Sequence, residues 1–235
     1  MGNTLTIFDL DNTLIQGDSS TVWSQFMVRE GLATQKGYLA REARLMADYD
    51  RGEMNIADYV ALIQAPLAGI PKSDVDALVA RCVREAILPR VYPQAWELIR
   101  RLRAEGEQML IISASVSLLV QAVAAALEID QALGIDVEMV DGGYSGVIAG
   151  IPSYQQGKVA RLAQWREAHP QYDGEVTFYT DSINDLPLCL HADRVRLVNP
   201  CPQLHADRVR LVNPCPQLQA AGAGYGWPVL SWRLE

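Results

Sequence analysis

Aspartates and a serine follow three apolar segments of the chain, and their side chains suit a metal and phosphate site. Asp9 and Asp11 come directly after the run TLTIF. Ser113 follows QMLII, and Asp181 and Asp185 follow EVTFY. If these three strand ends meet, the carboxylates repel one another unless a cation lies between them. Mg²⁺ fits best, because it takes oxygen ligands and is usually held by one or two carboxylates together with phosphate.

Two further groups suit a phosphoryl group at the same place. Lys158 stands at the start of a helical pattern and adds a compact positive charge. The Ser113 hydroxyl can donate to phosphoryl oxygens. Together with the aspartates and Mg²⁺, these groups predict a site for phosphoryl transfer.

The elements that must position these residues can be read from the hydrophobic pattern. After residue 89, helical patterns alternate with short apolar strands, and the Gly-rich stretch VEMVDGGYSGVIAG is typical of a β-hairpin. This alternation predicts an α/β fold with a doubly wound parallel sheet, in which ligands bind beyond the carboxyl ends of the strands. Residues 18–88 carry four helical patterns without a strand between them, which predicts a helical insert.

Four motifs occur in order along the chain: DLDNT, IISAS, QGKV and TDSINDLP. Their order, their strand-end placement and the gap of about a hundred residues between the first two resemble the haloacid dehalogenase (HAD) superfamily, in particular its phosphoserine-phosphatase-like branch. A lone DxD is common in loops, but four motifs with the right elements between them are specific. The resemblance implies a Rossmann-like core of residues 1–17 and 89–235, with residues 18–88 inserted as an α-helical cap.

The resemblance also implies the chemistry. Asp9 would be the nucleophile that forms an aspartyl-phosphate, and Asp11 would protonate the leaving alcohol and then deprotonate water. Asp9, Asp181 and the backbone carbonyl of Asp11 would hold Mg²⁺. The superfamily's dehalogenases lack the second aspartate, so Asp11 favours phosphate chemistry. The expected activity is hydrolysis of a small phosphorylated metabolite.

Other matching residues would serve the phosphoryl group. The resemblance places Ser113, Lys158 and Asn184 at the phosphoryl oxygens. Asp185 would orient Lys158 or the waters of the metal. From the residues alone, simpler interpretations stay open: a solvated lysine at a helix start, an aspartate capping a short helix, or a serine capping the next helix, with Ser115 as the alternative at the site.

Asp18 has two open interpretations. It lies nine positions after Asp9, where phosphoserine phosphatases carry a glutamate for the substrate ammonium group, so it could contact a cationic substrate. It could equally be the N-cap of the first insert helix. Asn12, Thr180 and Ser182 depart from the phosphoserine phosphatase pattern, which leaves other phosphomonoesters open, including amino-alcohol phosphates such as histidinol phosphate.

Two alternative functions remain open at this level. A phosphotransferase or mutase would use the same aspartyl-phosphate and pass the phosphoryl group to an acceptor other than water. A catalytically idle regulatory or binding module could retain the HAD scaffold without turnover. The complete motif set favours the phosphatase.

Composition limits the partners. A net charge of −8 would repel a phosphate backbone, so nucleic acid is not expected. The most apolar helical stretch is too short to span a bilayer, and the start of the chain has no signal-peptide pattern, so we expect a cytoplasmic protein without a membrane partner. The cysteines show no CxxC spacing, which argues against a zinc site. We expect a monomer or a homodimer.

Residues 191–218 contain the same 14-residue sequence, HADRVRLVNPCPQL, twice in succession. Each copy holds one short strand pattern, VRLV, and the family pattern requires only one such strand near the sheet edge. Few residues, including two prolines, separate the two VRLV runs, which disfavours a parallel crossover between them. We predict that one copy forms the strand and the other is extruded as a loop or an antiparallel edge extension. No candidate catalytic residue lies inside the duplication.

Overall fold

The computed structural model describes residues 3–198 and 226–234. Within these ranges the strands are β1 (Leu5–Phe8), β2 (Gln108–Val116), β3 (Gln131–Ile135), β4 (Val137–Val140), β5 (Gly143–Ile148), β6 (Val176–Thr180), β7 (Arg194–Val198) and β8 (Val229–Leu230). The α-helices are α1 (Ser19–Arg29), α2 (Tyr38–Asp50), α3 (Ile56–Gln64), α4 (Lys72–Cys82), α5 (Pro93–Ala104), α6 (Ser117–Ala126), α7 (Gln156–Ala168) and α8 (Leu186–Cys189). None of these helices combines the length and the apolar character needed to cross a membrane.

The main sheet brings the predicted strand ends together. In the described residues its order is β3-β2-β1-β6-β7-β8, and all the pairings are parallel. β1 lies between β2 and β6, so the carboxyl ends of these three strands face the same edge. β2 and β3 lie on one side of β1, and β6 to β8 lie on the other. The strand order therefore reverses at β1, and α/β folds bind ligands at such a topological switch point. The predicted doubly wound α/β fold is confirmed.

Helices cover both faces of the sheet, as the alternation of side chains along β1 requires. Leu5 and Ile7 pack in the core cluster that contains the apolar side of α7. Phe8 points to the opposite face and joins the larger cluster that contains α5 and α6. Burial of each such side chain stabilises the fold by roughly 1.5–3 kcal/mol. This two-sided burial fixes the end of β1, from which Asp9 and Asp11 project.

The region between β1 and α5 is helical, as the sequence predicts. It contains α1 to α4, and the apolar side chains Trp23, Phe26 and Met27 of α1 are buried in the same cluster as α5 and α6. Asp18 caps α1 by accepting from the backbone N–H of Thr21 at 2.7 Å. The insert therefore packs directly on the sheet's larger core at the end that holds the aspartates.

The antiparallel hairpin is confirmed, and one strand was missed. β4 and β5 pair on either side of Asp141 and Gly142, which both have positive φ, the conformation that a tight two-residue hairpin turn needs. β3 was not predicted, because the segment QALGI is short, half-buried and interrupted by Gly134. A side chain at Gly134 would lie within 3 Å of the backbone of Ser117, so this edge strand needs glycine for close approach to α6.

The duplicated stretch contributes one described strand. Arg194–Val198, in the first copy, forms β7 between β6 and the edge strand β8. The second copy, residues 205–218, lies outside the described residues, and so does the prediction of an extruded loop. The described copy stands away from the carboxyl ends of β1 and β2, where the candidate chemistry lies.

Candidate active site

Asp9 is fixed at the centre of the site by the sheet. Its backbone N–H donates to the carbonyl of Tyr179 at 2.8 Å, which continues the β1–β6 pairing past the end of β1. Its side chain is buried. Oδ1 accepts from Lys158 Nζ at 2.8 Å, and Oδ2 lies 3.4 Å from the Thr13 hydroxyl. Removal from water is the largest influence on Asp9 and raises its pKa to about 7, although the Lys158 charge lowers it.

Lys158 is a fully buried cation between two carboxylates. It stands in the first turn of α7, and its Nζ lies 2.8 Å from Asp9 Oδ1 and 2.6 Å from Asp185 Oδ1. Burial alone would lower the pKa of Lys158, but the charges of Asp185 and Asp9 raise it above the usual lysine value. Lys158 is therefore charged, and it is not the solvated helix-start lysine that the sequence left open.

Asp185 contacts both Lys158 and the end of β6. Its Oδ2 accepts from the Thr180 hydroxyl at 2.6 Å, and its Oδ1 faces Lys158. Thr180 is the last residue of β6, so the strand itself orients the carboxylate. The contact is one through which Asp185 could orient Lys158, and its role toward Lys158 or the waters of the metal stays a prediction.

Asp181 adds a further carboxylate next to Asp9. The Thr13 hydroxyl lies 3.2 Å from Asp181 Oδ1 and 3.4 Å from Asp9 Oδ2, so one hydroxyl bridges the two side chains. The pKa of Asp181 lies well above its usual range, because the carboxylate is removed from water and faces the charges of Asp9 and Asp185. Two carboxylates this close repel each other. Mg²⁺ bound to both of them would reduce this repulsion.

The described residues contain no cluster of three or more His, Cys, Asp or Glu side chains arranged around a metal position. The predicted ligands contribute only two carboxylates, those of Asp9 and Asp181, and the predicted third ligand is the backbone carbonyl of Asp11. Mg²⁺ usually completes such a set with water and substrate phosphate, so the residues present fit this cation.

Asp11 is held by two donors on opposite sides. Its Oδ1 accepts from the backbone N–H of Ser19 at 2.6 Å, and its Oδ2 accepts from the Ser115 hydroxyl at 2.8 Å. Removal from water raises the pKa of Asp11, while the bonds from Ser19 and Ser115 lower it. A carboxyl with a raised pKa can carry the proton that a leaving alcohol needs.

Ser113 lies in the second half of β2, beside these aspartates, and is fully buried. Its hydroxyl oxygen accepts from the backbone N–H of Ser115 at 3.1 Å, and its carbonyl accepts from the Ser153 hydroxyl at 2.5 Å. The Ser113 hydroxyl keeps its own proton for another acceptor. An inner cavity of about 20 Å³ is lined by Asp9, Asp11, Ser113 and Ser115 together with side chains of the helical insert.

Asn184 is placed differently from the other predicted phosphate ligands. Its Nδ2 donates to the carbonyl of Tyr49 at the end of α2, at 2.8 Å, and its Oδ1 accepts from Gln155 at 3.2 Å. Both ends of the amide are thus engaged, one of them by the helical insert. A contact between Asn184 and a phosphoryl group stays a prediction.

The chain is similar in sequence to known hydrolases. The family model described as haloacid dehalogenase-like hydrolase matches residues 6–189. The chain belongs to this family. A histidinol-phosphatase of Neisseria meningitidis serogroup C is 33% identical over 233 residues, which cover 97% of this chain and 99% of that protein. A phosphoserine phosphatase of Mycobacterium tuberculosis is 28% identical over 84% of this chain and 65% of its own length.

Solved structures agree with the fold. A protein of unknown function from Bordetella pertussis Tohama I superposes with a TM-score of 0.83 at 29% identity, covering 98% of this chain and 99% of that one. A phospho-aspartyl intermediate analogue of phosphoserine phosphatase gives a TM-score of 0.62 at 17% identity, covering 84% and 87% of the two chains. The family and its phosphatase relatives identify the chain as a phosphatase, which confirms the predicted enzyme class.

The phosphatase has a second, outer cavity of about 410 Å³. Its lining shares Asp11, Asp18, Met46 and Tyr49 with the lining of the inner cavity. Asp18 caps α1 and also lines both cavities, and its contact with a cationic substrate stays a prediction. The pKa of Asp18 is well above its usual range because of desolvation and the nearby Asp11 charge. A cation bound in the outer cavity would relieve this repulsion.

Sequence reasoning missed Thr13 and Tyr49, which line or organise the site, and it named Ser115 only as an alternative to Ser113. Thr13 bridges Asp9 and Asp181, Tyr49 lines both cavities, and Ser115 donates to Asp11. Thr13 carries a signal in the sequence, since it ends the DLDNT motif four residues after Asp9. Tyr49 has no such signal, because only the packing of α2 brings it over the aspartates.

Gly157 allows α7 to start where Lys158 can reach the site. A Cβ atom at Gly157 would lie 1.9 Å from the carbonyl oxygen of Pro152. We expect Gly157→Ala to displace the first turn of α7, lowering the free energy of unfolding by about 1–3 kcal/mol or more. Phosphatase activity should fall with it, because Lys158 is the next residue.

Chemical denaturation and phosphate-release assays check this expectation. Gly146→Ala is the matched control, because a Cβ there meets the Cα of Ala61 at 3.4 Å, an ordinary contact. A Gly157→Ala protein as stable and as active as the control would show that the α7 start has room to adjust.

Proposed function

We propose that this phosphatase is a Mg²⁺-dependent phosphomonoesterase that works through an aspartyl-phosphate on Asp9 and acts on a small amino-alcohol phosphate. The observation that carries the proposal is the buried Asp9 carboxylate, paired with Lys158 on one oxygen and facing Asp181 on the other side. Asp9 lines the inner cavity, Asp181 lines the outer one, and Lys158 pairs with Asp9. A nucleophilic oxygen, a fixed cation and a second carboxylate thus lie together at this edge of the sheet.

In the first step, an Asp9 carboxylate oxygen attacks phosphorus and the bond from phosphorus to the ester oxygen breaks. Asp11 gives its proton to the departing oxygen, so an alcohol leaves. The positive charge of Lys158 and the Ser113 hydroxyl stabilise the phosphoryl oxygens in the transition state. When Mg²⁺ is bound by Asp9, Asp181 and the Asp11 carbonyl, it supplies further neutralisation of that charge.

In the second step, Asp11 takes a proton from water, and the water oxygen attacks the phosphorus of the aspartyl-phosphate. The bond between phosphorus and Asp9 breaks, which releases inorganic phosphate and restores both aspartates to their starting states. The same carboxyl thus serves first as acid and then as base.

Residues 18–88 are proposed to act as the cap over this chemistry. The inner cavity of about 20 Å³ has room for roughly one water, and a phosphoryl group is larger. Met46 and Tyr49 of α2 line that cavity, so substrate entry requires α2 to move away from the sheet. Return of α2 would exclude bulk water during transfer.

The outer cavity favours a substrate whose organic part is cationic. It is lined by Asp11, Asn12, Asp18, Thr21, Met46, Tyr49, Asp50, Asp181, Ser182 and Ile183. Four of these residues are acidic and none is basic, so an ammonium or imidazolium group is attracted and a carboxylate is repelled. Histidinol phosphate has an amine and an imidazole without a carboxylate, and the relative named histidinol-phosphatase supports it as the first candidate. Phosphoserine, which has a carboxylate, fits this lining less well.

Assays with purified protein test the proposed function. We expect Mg²⁺-dependent release of phosphate from histidinol phosphate, loss of release after chelation, and recovery when Mg²⁺ is returned. An added alcohol that accepted the phosphoryl group in preference to water would indicate a phosphotransferase. A folded protein that releases no phosphate from any amino-alcohol or aryl phosphate would contradict the proposal.

Asp18 provides a sharper test of substrate choice. Asn is as good an N-cap as Asp, so Asp18→Asn keeps the helix cap while removing the charge. We expect KM for histidinol phosphate to rise about tenfold, which is the effect of losing roughly 1.4 kcal/mol of binding. KM for p-nitrophenyl phosphate, which has no cation, should stay the same.

The control is Asp58→Asn, a neutralisation of an exposed aspartate in the first turn of α3. It should leave both KM values unchanged. Equal changes for the two substrates in Asp18→Asn would exclude a cation-specific role for this residue.

A further inference from the structure

A cluster of buried hydroxyl groups surrounds one oxygen of Asp11. This hydroxyl cluster consists of Ser19, Ser20, Tyr59 and Ser115. The Ser115 hydroxyl donates to Asp11 Oδ2 at 2.8 Å and lies 3.1 Å from each of the Ser19 and Ser20 hydroxyls. The Ser20 hydroxyl in turn lies 2.5 Å from the Tyr59 hydroxyl.

The cluster joins three separate elements. Ser115 belongs to β2 of the sheet, Ser19 and Ser20 form the start of α1, and Tyr59 lies on α3. Two of these elements are insert helices, whereas Asp11 follows β1. The hydroxyl groups therefore connect the packing of the helical insert to the orientation of the Asp11 carboxyl.

Proton counting gives the cluster a direction when Asp11 is a carboxylate. A hydroxyl has one proton to donate and two lone pairs to accept with. Ser115 uses its proton on Asp11, so a hydrogen bond between Ser115 and Ser20 requires the Ser20 hydroxyl to donate. Ser20 has then used its own proton, and Tyr59 must donate to Ser20. The resulting order is Tyr59 to Ser20 to Ser115 to Asp11.

We propose that Ser115 is a positioning residue for the acid/base Asp11, and that it holds Asp11 through a hydroxyl chain anchored in the helical insert by Ser20 and Tyr59. This inference rests on the proposed function, because it presupposes that Asp11 transfers protons. With Oδ1 held by the Ser19 N–H and Oδ2 by Ser115, the carboxyl plane is fixed from both sides. Closure of α1 and α3 on β2 thus sets the acid/base in place.

Leaving-group dependence separates positioning of Asp11 from simple packing. An alkyl alcohol is a poor leaving group and needs the proton from Asp11, whereas p-nitrophenolate leaves without one. We therefore measure transfer of the phosphoryl group in a single turnover with excess enzyme, comparing histidinol phosphate with p-nitrophenyl phosphate. This readout isolates the first step, before water attacks.

For Ser115→Ala we expect transfer from histidinol phosphate to slow about tenfold or more, in line with the loss of a hydrogen bond to a charged group. Transfer from p-nitrophenyl phosphate should change less than about threefold. Ser115→Thr keeps the hydroxyl and should restore the rate for histidinol phosphate. Ser24→Ala is the matched control, because it removes a buried α1 hydroxyl that contacts Tyr38 rather than Asp11.

Equal slowing of both substrates, or no slowing of either, would overturn the inference. If Ser115→Ala does not fold, Tyr59→Phe removes only the far donor of the chain and should give a smaller loss with the same preference for the alkyl ester; a loss without that preference would overturn the inference too. Asp11→Asn distinguishes this failure from failure of the proposed function. If the Asp11→Asn enzyme accepts the phosphoryl group from histidinol phosphate at the normal rate, the proposed acid role of Asp11 is wrong. If Asp11→Asn slows this transfer but Ser115→Ala leaves its rate normal, only the inference on Ser115 is wrong.

Discussion

Asp9→Asn is expected to lower turnover of every phosphate ester by roughly 10⁴-fold or more, the order of loss seen when an enzyme loses its nucleophile. Asparagine has the shape of aspartate, but its amide oxygen lacks the negative charge that attacks phosphorus. Lys158 keeps Asp185 as a partner, so the loss would come from the chemistry and not from an unpaired cation. Phosphate release under saturating substrate and Mg²⁺ measures the effect.

The folded state of Asp9→Asn should be at least as stable as the wild type. Asp9 is buried beside Asp181 and Asp185, and removing its charge relieves repulsion that raises the pKa of Asp181. Asp130→Asn, a neutralisation of an exposed aspartate after α6, is the matched control and should retain full activity. A stable Asp9→Asn protein with normal turnover would exclude Asp9 as the nucleophile.

Lys158→Met should show the second large effect, a loss of both activity and stability. Lys158 is the cation between Asp9 and Asp185, and methionine fills a similar volume without charge. Breaking a buried ion pair by removing one partner typically costs about 3–5 kcal/mol, because the remaining charges are left without compensation. Turnover should fall together with stability, since the phosphoryl oxygens lose their fixed cation.

The stability loss in Lys158→Met should depend on pH in a defined direction. Burial raises the pKa of Asp9 to about 7 even with Lys158 present, and the lysine charge acts to lower it. Without the lysine, the folded state holds a proton on Asp9 more tightly than the unfolded state does, so stability falls as pH rises above the usual aspartate range. The difference from wild type should therefore be larger at pH 8 than at pH 5.

Urea denaturation at several pH values measures this difference. Lys72→Met is the control, because Lys72 pairs with Asp76 on the exposed surface of α4 and such pairs contribute at most about 1 kcal/mol. A Lys158→Met protein that loses no more stability than this control would contradict the account of Lys158 as a buried, charge-balancing residue.

Local patterns were sufficient to predict the part of the site that depends on strand ends. The apolar runs before Asp9, Ser113 and Asp181 are buried strands, and parallel pairing of β1 with β2 and β6 places their ends at one edge. The helical pattern after the Gly-rich hairpin likewise places Lys158 at the start of α7, although this pattern leaves the burial of the lysine open. These placements depend on period and order, which a single sequence contains.

Other features depend on which side chains meet in three dimensions. The amide of Asn184 bonds to Tyr49 and Gln155 because α2 ends above the β6 loop, and nothing local indicates that contact. The contacts of the Ser115 hydroxyl with the Ser19 and Ser20 hydroxyls likewise require α1 and β2 to meet. β3 is not predicted because its segment, QALGI, is half-buried and contains a glycine, so it shows no alternation of apolar and polar residues.

Chemical trapping of the phosphoryl group tests the central claim most directly. The Asp11→Asn enzyme with p-nitrophenyl phosphate should complete the first step, which needs no acid with this leaving group, and stall before water attacks. Borohydride reduces an aspartyl-phosphate to homoserine, so peptide mass spectrometry after quenching should find homoserine in place of Asp9. A burst of p-nitrophenol with an unmodified Asp9, or homoserine at any other aspartate, would contradict the account.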